Sequence, residues 1–175
     1  MNLFIDPNVR GCGIALFDGK KLVRAKYVAH PDYAGRNYLS ETLLAQEVFK
    51  QTFDTVGPRS GLYKLTLVVI ERPVIYPGMP DKDLNDLIDV AAVGSAVNNA
   101  LYLNATAFQT VKPAEWKGNV PKKVMLERIR SKLTDDEMAR CEWTNKSDNE
   151  DLLDAVGMGL WHAGRLNSKK YPGAT

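Results

Sequence analysis

The chain has 175 residues, of which 45% are hydrophobic and 25% are charged, and its formal net charge is +2. This length suffices for one domain with a substantial core, and the mild charge neither requires nor excludes an acidic partner. The N-terminal sequence lacks the basic and apolar regions of a signal peptide, and no apolar run approaches transmembrane length. Cys12 and Cys141 have no metal-type spacing, which favours reduced thiols. We therefore expect a soluble protein of the cytoplasm of a bacterial or phage-infected cell, or of another reducing compartment.

The first part of the sequence predicts three antiparallel strands. Residues 3–5 are a short apolar run, and Asp6-Pro7-Asn8 is typical of a turn, so we expect Asp6 at the C-terminal tip of a central strand. Residues 13–17 predict a second strand. The hairpin signal Asp18-Gly19 then leads into a third strand over residues 21–29.

The rest of the sequence predicts alternating helices and strands. Residues 39–53 have the spacing of an amphipathic helix, and the apolar run LTLVVI at 65–70 predicts a strand buried on both faces. The later predicted elements are a helix over about 83–103, a strand over 105–111, a helix with Pro121 at its first position, and a closing helix over 149–163 with a capping box at 147–150. A polar connection is expected at 134–136.

This order of elements predicts an α/β fold with a mixed central sheet, three leading antiparallel strands and helices on both faces. We expect a single domain over residues 1–166 and a frayed tail over 167–175.

Two acids interrupt the otherwise apolar closing helix. Asp151 and Asp154 are three residues apart and therefore project from the same side of the helix. Neither acid has a lysine or arginine three or four residues after it, and a buried carboxylate is costly unless it is paired, hydrogen-bonded or bound to a metal. An interaction with the helix dipole is an alternative explanation for Asp151. It does not explain Asp154, which lies a full turn inside the helix.

Acids also end two of the predicted strands. Asp6 follows LFI, Glu71 follows LVVI, and ligands of open α/β sheets bind beyond the C-terminal ends of the strands. If these strands are neighbours, the four acids can converge and bind Mg²⁺ or Mn²⁺. Two such ions can activate water and stabilise the leaving oxygen in phosphodiester hydrolysis. Taken singly, Asp6 can be a turn residue and Glu71 the partner of Arg72.

The segments IDPNVRGCGIAL, LVVIERP and NEDLLDAVGMGLWHA resemble the RuvC-type Holliday-junction resolvases of the RNase H-like superfamily. Proteins of that family have an IDPG-like first strand, a strand that ends in Glu and a closing D-x-x-D-A helix. The resemblance extends over nearly the whole chain and implies an RNase H-like fold. It also implies nicking of four-way DNA junctions by a homodimer, with two Mg²⁺ ions per active site, for which Mn²⁺ can substitute. The implied catalytic residues and metal ligands are Asp6, Glu71, Asp151 and Asp154.

Residues 111–123, VKPAEWKGNVPKK, are similar to a P-x-x-W-K…G…K segment of the same family. They place lysines and a tryptophan around a loop and a helix N-terminus, which suits phosphate binding. A solvated basic loop is the alternative. We predict DNA contacts by Lys112, Lys117, Lys122 and Lys123. Of these, Lys117 and either Lys122 or Lys123 are expected near the scissile phosphate, where one can stabilise charge in the transition state.

Some positions depart from the family's pattern. Asn8 replaces the usual glycine of the first turn, and asparagine tolerates the left-handed conformation that the turn would need. Val74 stands where the family has an aromatic residue that wedges into the junction, so Tyr76 is the predicted stacking residue. Elsewhere, we expect a solvated His30 and a helix-end role for His162.

The leading hypothesis is a Mg²⁺-dependent endonuclease that resolves four-way DNA junctions. One alternative is an RNase H-like nuclease that acts on other branched DNA or on RNA/DNA hybrids, and another is a non-catalytic nucleic-acid-binding member of the fold. An actin-like ATPase would need a second domain and glycine-rich phosphate loops. The predicted dimer contact is the small-residue face of the 83–103 helix.

Overall fold

The computed structural model describes residues 1–32, 40–56, 65–74 and 84–167, which form a mixed sheet with helices on both faces. The strands are β1 (Asn2–Asn8), β2 (Gly11–Asp18), β3 (Lys21–Ala29), β4 (Leu65–Glu71), β5 (Ala105–Val111) and β6 (Cys141–Glu142). The helices are α1 (Ser40–Val56), α2 (Leu84–Leu101), α3 (Pro113–Trp116), α4 (Lys122–Lys132), α5 (Asp135–Met138) and α6 (Lys146–His162), and one 3₁₀ turn (Tyr102–Asn104) follows α2.

The described strands are ordered β5-β4-β1-β2-β3-β6 across the sheet. β1, β2 and β3 are joined as antiparallel neighbours, whereas β4 runs parallel to β1, β5 parallel to β4, and β6 parallel to β3. The predicted mixed sheet with three leading antiparallel strands is therefore confirmed. β1 and β4, the two strands that carry the strand-end acids, are direct neighbours.

Side chains of the central strands enter two separate cores. Phe4 of β1 and Val69 of β4 pack with α6, α4 and Trp116 on one face of the sheet. Leu3 and Ile5 pack with α1 and α2 on the other face. Burial on both faces explains why β1 and β4 are apolar runs rather than alternating sequences.

Gly13 of β2 lets α6 lie close to the sheet. A Cβ atom at this position would stand 2.0 Å from the carbonyl oxygen of Asp151, so any larger residue would push the helix away. Gly13 is also the cross-strand partner of Asp6. This close approach therefore brings the acidic turn of α6 beside β1.

The expected turn at Asp6-Pro7-Asn8 is wrong, because the antiparallel ladder between β1 and β2 continues to the pair Asn8 and Gly11. The parallel ladder with β4 stops earlier, at Ile5 and Ile70. Asp6 is therefore still paired with β2, whereas it lies beyond the last residue of β1 that is paired with β4. Asn8 has extended backbone, and none of the described non-glycine residues has a positive φ.

The boundaries of two later helices differ from the prediction. α6 begins at Lys146, and its N-cap is Asn145, whose side chain accepts a hydrogen bond from the Asp148 N–H. The predicted capping box at 147–150 is therefore wrong. Pro121 is the N-cap of α4 rather than its first residue.

The expected polar connection after α4 contains α5 and β6. Thr134 and Glu137 form a capping box at the start of α5, and the short strand β6 then pairs with β3. Glu137 of α5 is buried, because partners that are remote in sequence form hydrogen bonds with it.

His30, expected to be solvated, is buried. Its Nδ1 accepts a hydrogen bond from the Asp32 N–H, so the neutral ring carries its proton on Nε2. Nε2 lies 2.9 Å from the carbonyl oxygen of Ser40, to which it donates. The histidine thus connects the end of β3 to the first residue of α1.

The cysteines and the hydropathy of the helices are the features on which the expected compartment depends. Cys12 and Cys141 are buried free thiols. Among the described helices, none combines the length and hydropathy that crossing a bilayer requires. The predicted tail is described only as far as residue 167.

Glu137 anchors the edge of the sheet far from the acids of α6. Both of its carboxylate oxygens accept hydrogen bonds from the Arg165 guanidinium, at 2.6 and 2.7 Å, and the N–H groups of Leu22 and Thr134 also donate to it. These hydrogen bonds, above all those from Arg165, lower the pKa of Glu137 to about 2. The cluster ties α5 to the β2–β3 hairpin and to the segment after α6.

We expect Glu137→Gln to lower the free energy of unfolding by about 3 kcal/mol at pH 7, because it leaves the Arg165 charge without its buried partner. Urea denaturation would measure this loss. The depressed pKa means that Glu137 stabilises the fold above its ordinary pKa and that this contribution is lost as the pH falls towards 2. The control is Glu142→Gln, which breaks an exposed pair with Arg24 and should cost less than about 1 kcal/mol. Equal losses in the two variants would contradict the anchoring role of Glu137.

Candidate active site

The two acids of α6 differ in burial. Asp154 is 4% exposed and lies among the apolar residues that pack α6 onto the sheet, whereas Asp151 is partly exposed. Because α6 begins at Lys146, Asp151 lies beyond the first turn, which weakens the explanation that it serves the helix dipole. Both carboxylates must therefore be stabilised by groups from elsewhere in the fold.

The strand-end acids lie at the same edge of the sheet as the α6 acids. Asp6 and Glu71 directly follow Ile5 and Ile70, the last pair of the ladder between β1 and β4. Burial raises the pKa of Asp6 well above its usual range, and the charges of Glu71, Asp154 and Asp151 raise it further. Gly13, the cross-strand partner of Asp6, packs against the Asp151 backbone, and Lys117 pairs with both Asp154 and Glu71. The structure therefore brings together four carboxylates, called here the acid cluster: Asp6, Glu71, Asp151 and Asp154.

Lys117 lies inside the acid cluster. Its Nζ donates to Asp154 Oδ2 at 2.7 Å and lies 3.5 Å from Glu71 Oε2. Burial lowers the pKa of Lys117, but the charges of Asp154, Glu71 and Asp6 outweigh that effect, and the pKa is raised. The lysine is therefore firmly cationic and is the partner that the sequence around Asp154 lacks.

Trp116 holds the second strand-end acid. The indole is fully buried, and its Nε1 donates to Glu71 Oε2 at 2.6 Å. Burial raises the pKa of Glu71, while Lys117 and the hydrogen bond from Trp116 counteract that rise. The Glu71 side chain therefore pairs with Lys117 and Trp116 from the α3 region, and the proposed pair with Arg72 is not formed among the described residues.

Asn8 and Lys122 stabilise Asp151. Asn8 Nδ2 donates to Asp151 Oδ2 at 3.2 Å. Burial raises the pKa of Asp151 to about 6, and the charge of Lys122 and the hydrogen bond from Asn8 limit the rise. Lys122 itself forms an ion pair with Glu150 at 2.9 Å, outside the acid cluster. Asp151 is thus the acid that titrates closest to neutral pH among those for which a value is resolved.

The acid cluster has the donors that Mg²⁺ or Mn²⁺ prefers, because all four side chains are carboxylates. Their present arrangement is not that of a metal site: within the described residues, no three His, Cys, Asp or Glu side chains are placed to hold an ion. Lys117 lies between Asp154 and Glu71 and supplies the positive charge there. The donor set fits a divalent cation in kind, and the side chains would have to shift to bind one.

The other predicted site residues lie outside this ion-pair network or outside the described structure. Lys112, Lys122 and Lys123 are exposed around α3 and the start of α4, consistent with a surface for phosphates. Tyr76 lies outside the described residues. His162 is exposed at the end of α6, with its ring 5.5 Å from that of Phe4.

A cavity of about 430 Å³ opens beside Glu71, on the side of α2. Its wall combines apolar residues of the sheet and helix with polar side chains, among them Arg72, Ser95 and Asn98. The cavity therefore lies between the sheet and α2, whereas the Glu71 side chain pairs with Lys117 and Trp116.

Three residues of the site escaped prediction as functional residues. Trp116 was expected in a loop, whereas it ends α3 and is a hydrogen-bond donor to Glu71. The sequence predicts a turn at Asn8, and it predicts no role for Gly13 beyond its place in a strand. An available signal was the tryptophan next to a lysine in a segment already predicted to contact DNA. The roles of Asn8 and Gly13 depend on how closely α6 packs, which sequence spacing does not show.

No protein-family model matches the sequence, and no curated protein matches it. Among solved structures, Thermus thermophilus RuvC in complex with a Holliday junction substrate superposes with a TM-score of 0.60 at 18% sequence identity, over 93% of this chain and 92% of that chain. A second Thermus thermophilus RuvC structure superposes with a TM-score of 0.58 at 16% identity, with the same coverage. The predicted RNase H-like fold is therefore confirmed: over nearly its full length, the chain has the fold of the RuvC-type resolvases.

Proposed function

We propose that this protein is a Mg²⁺-dependent DNA endonuclease that resolves four-way junctions. The observation that carries the proposal is the convergence of carboxylates from β1, β4 and α6 at the C-terminal edge of the sheet, where Lys117 pairs with both Asp154 and Glu71. Placing four acids together destabilises the fold, and Lys117 offsets only part of their charge, so a bound cation would give the cluster a physical reason. This argues against a non-catalytic binding module.

Each residue of the site has a separate role in this proposal. Asp6, Glu71, Asp151 and Asp154 are the ligands of up to two divalent cations, which would supply an activated water and stabilise the leaving oxygen. Trp116 fixes the orientation of Glu71, and Asn8 that of Asp151, through the hydrogen bonds that they donate. Such donors orient metal ligands in many sites.

Branched DNA is the substrate that the surroundings of the acid cluster favour. One structure with the same fold was solved with a Holliday junction substrate. On this chain, the exposed lysines Lys112, Lys122 and Lys123 lie close in sequence to Lys117, which pairs with the acid cluster. They can contact phosphates on either side of the scissile bond.

The proposed active form is a homodimer, because a four-way junction requires two symmetric cuts. Leu84 and Ile88 of α2 are 59% and 64% exposed, and their four-residue spacing puts them on one helix face. Exposed apolar side chains on one face are typical of an interface. We propose this face of α2 as the dimer contact.

We expect Asp154→Asn to reduce nicking of a synthetic four-way junction in Mg²⁺ by at least about a hundredfold, because a metal ligand is lost. Junction binding, measured by fluorescence anisotropy in Ca²⁺, should persist. The control Glu127→Gln, which changes an exposed acid of α4, should cleave normally. Equal cleavage of linear duplex, flaps and junctions by the wild type would replace the resolvase by a less selective nuclease, and cleavage of RNA/DNA hybrids alone would indicate an RNase H activity.

We expect Asp151→Asn to stabilise the metal-free protein at pH 7.5 by up to about 2 kcal/mol in EDTA. The pKa of Asp151 is raised from 3.8 to about 6, so its ionisation opposes folding above that range. The gain should shrink as the pH falls from 6 towards 4, because the folded carboxyl becomes protonated there while the unfolded one, with its ordinary pKa of 3.8, is only partly protonated. Urea denaturation at both pH values measures it. A loss of stability at pH 7.5 would mean that Lys122 and Asn8 fully compensate the charge.

For the dimer, we expect Ile88→Arg to give a monomer in sedimentation equilibrium, since a charge would be buried at the contact. Paired cutting of the junction should be lost with it. Leu103→Arg is a matched control, because Leu103 is 84% exposed in the turn after α2. Dissociation by the control variant, or a monomeric wild type, would rule out α2 as the contact.

A further inference from the structure

Lys117 is held in the acid cluster from three sides. Its Nζ contacts Asp154 and Glu71, and it also lies 4.6 Å from the centroid of the Trp116 ring. The side chain is 20% exposed. Lys122, by comparison, is 55% exposed and pairs with Glu150, outside the cluster. Lys117 is therefore the lysine whose charge is built into the site.

The backbone around Lys117 fixes the base of this side chain. α3 begins at Pro113, and the Lys117 N–H donates to the Pro113 carbonyl oxygen at 2.8 Å. Trp116 is fully buried directly before it, and Gly118 turns the chain away with a φ of 61°. Only the flexible four-carbon stem of Lys117 can move without disturbing this anchor.

The ammonium and a divalent cation need the same oxygens. Asp154 Oδ2 accepts from Lys117, and Glu71 Oε2 is shared between Lys117 and Trp116. In this arrangement, no three His, Cys, Asp or Glu side chains among the described residues are placed to hold an ion. A cation bound by both Asp154 and Glu71 would also lie too close to the ammonium, because like charges repel strongly at such distances.

We propose that the Lys117 ammonium is a tethered counter-cation of the acid cluster, and that a divalent cation binds Asp154 and Glu71 only by displacing it. This inference rests on the proposed metal dependence and adds that the Lys117 ammonium and the divalent cation exchange places at Asp154 and Glu71. In the metal-free protein, Lys117 holds the acids together against their mutual repulsion. When displaced, its ammonium remains next to the metal ligands, where an oxygen of the scissile phosphate can become its new partner.

The exchange predicts opposite effects of Lys117→Met on the metal-free and the metal-bound protein. In EDTA the variant should melt at a lower temperature than the wild type, because the acids lose their counter-charge. Mn²⁺ should bind about tenfold more tightly or better, since a charge-assisted hydrogen bond no longer has to be broken. Calorimetric titration without DNA at pH 8.5 measures this affinity with little competition from protons. Lys50→Met, an exposed lysine of α1, is the matched control and should change neither quantity.

The wild-type protein provides a second measurement that does not require a variant to fold. Reductive methylation followed by mass spectrometry should show a Lys117 amine that is protected in EDTA and becomes reactive when Ca²⁺ is added. Lys50 should react at the same rate in both conditions. Protection of Lys117 that persists at saturating Ca²⁺ would overturn the inference.

The outcomes separate this inference from the proposed function. If the wild type binds Mn²⁺ and Lys117→Met binds it equally or more weakly, the exchange is refuted and the metal-dependent nuclease stands. If the wild type binds no Mn²⁺, both the proposed function and the exchange are refuted. Tighter binding together with a lower melting temperature in EDTA supports both.

Discussion

The ion pair between Lys117 and Asp154 is the interaction on which the arrangement of the site depends. Asp154 lies in the most apolar stretch of α6, where an unpaired carboxylate would cost several kcal/mol. The chain supplies the compensating charge from residue 117, far from α6 in sequence, through a loop anchored by Trp116. Because the same ammonium also approaches Glu71, one lysine sets the separation between the acid of the helix and the acid of β4.

The protein uses buried carboxylates in two opposite ways. Glu137 is surrounded by donors, its pKa is lowered to about 2, and its charge stabilises the fold. Burial and the neighbouring acids raise the pKa of Asp6, so that its charge destabilises the fold. The first arrangement is that of a structural anchor. The second arrangement is suited to binding a cation, because the free energy of binding can offset the unfavourable burial and repulsion of the acids in the metal-free protein.

Much of this architecture could be predicted from the sequence because it follows from local patterns. The sequence predicts the strands at 21–29, after the turn signal Asp18-Gly19, and at 105–111, and the structure has both with these bounds. All four acids of the cluster could be identified because each stands where an apolar element ends or is interrupted. Their convergence required only that β1 and β4 be neighbours, which the order of elements made plausible.

What could not be predicted depends on contacts between distant segments. Glu137 reads as an exposed residue of an acidic linker until Arg165 and Leu22 are placed beside it. Asn8 reads as a turn residue until the ladder between β1 and β2 is extended to Gly11. The sequence predicts that Lys117 contacts phosphate because it belongs to a basic loop. Its ion pair with Asp154 joins residues far apart in sequence, so no spacing rule predicts it.

The close approach at Gly13 explains why the site requires the whole fold rather than a motif. The carbonyl of Asp151 lies where a Cβ of residue 13 would be, and Gly13 is paired with Asp6 across the hairpin. A methyl group there would therefore move α6, and with it Asp151 and Asp154, away from the strand that carries Asp6. Displacing this one helix would therefore separate the four carboxylates while leaving every acid in the sequence. The glycine is thus as necessary to the site as any of the acids, although it contributes no chemistry of its own.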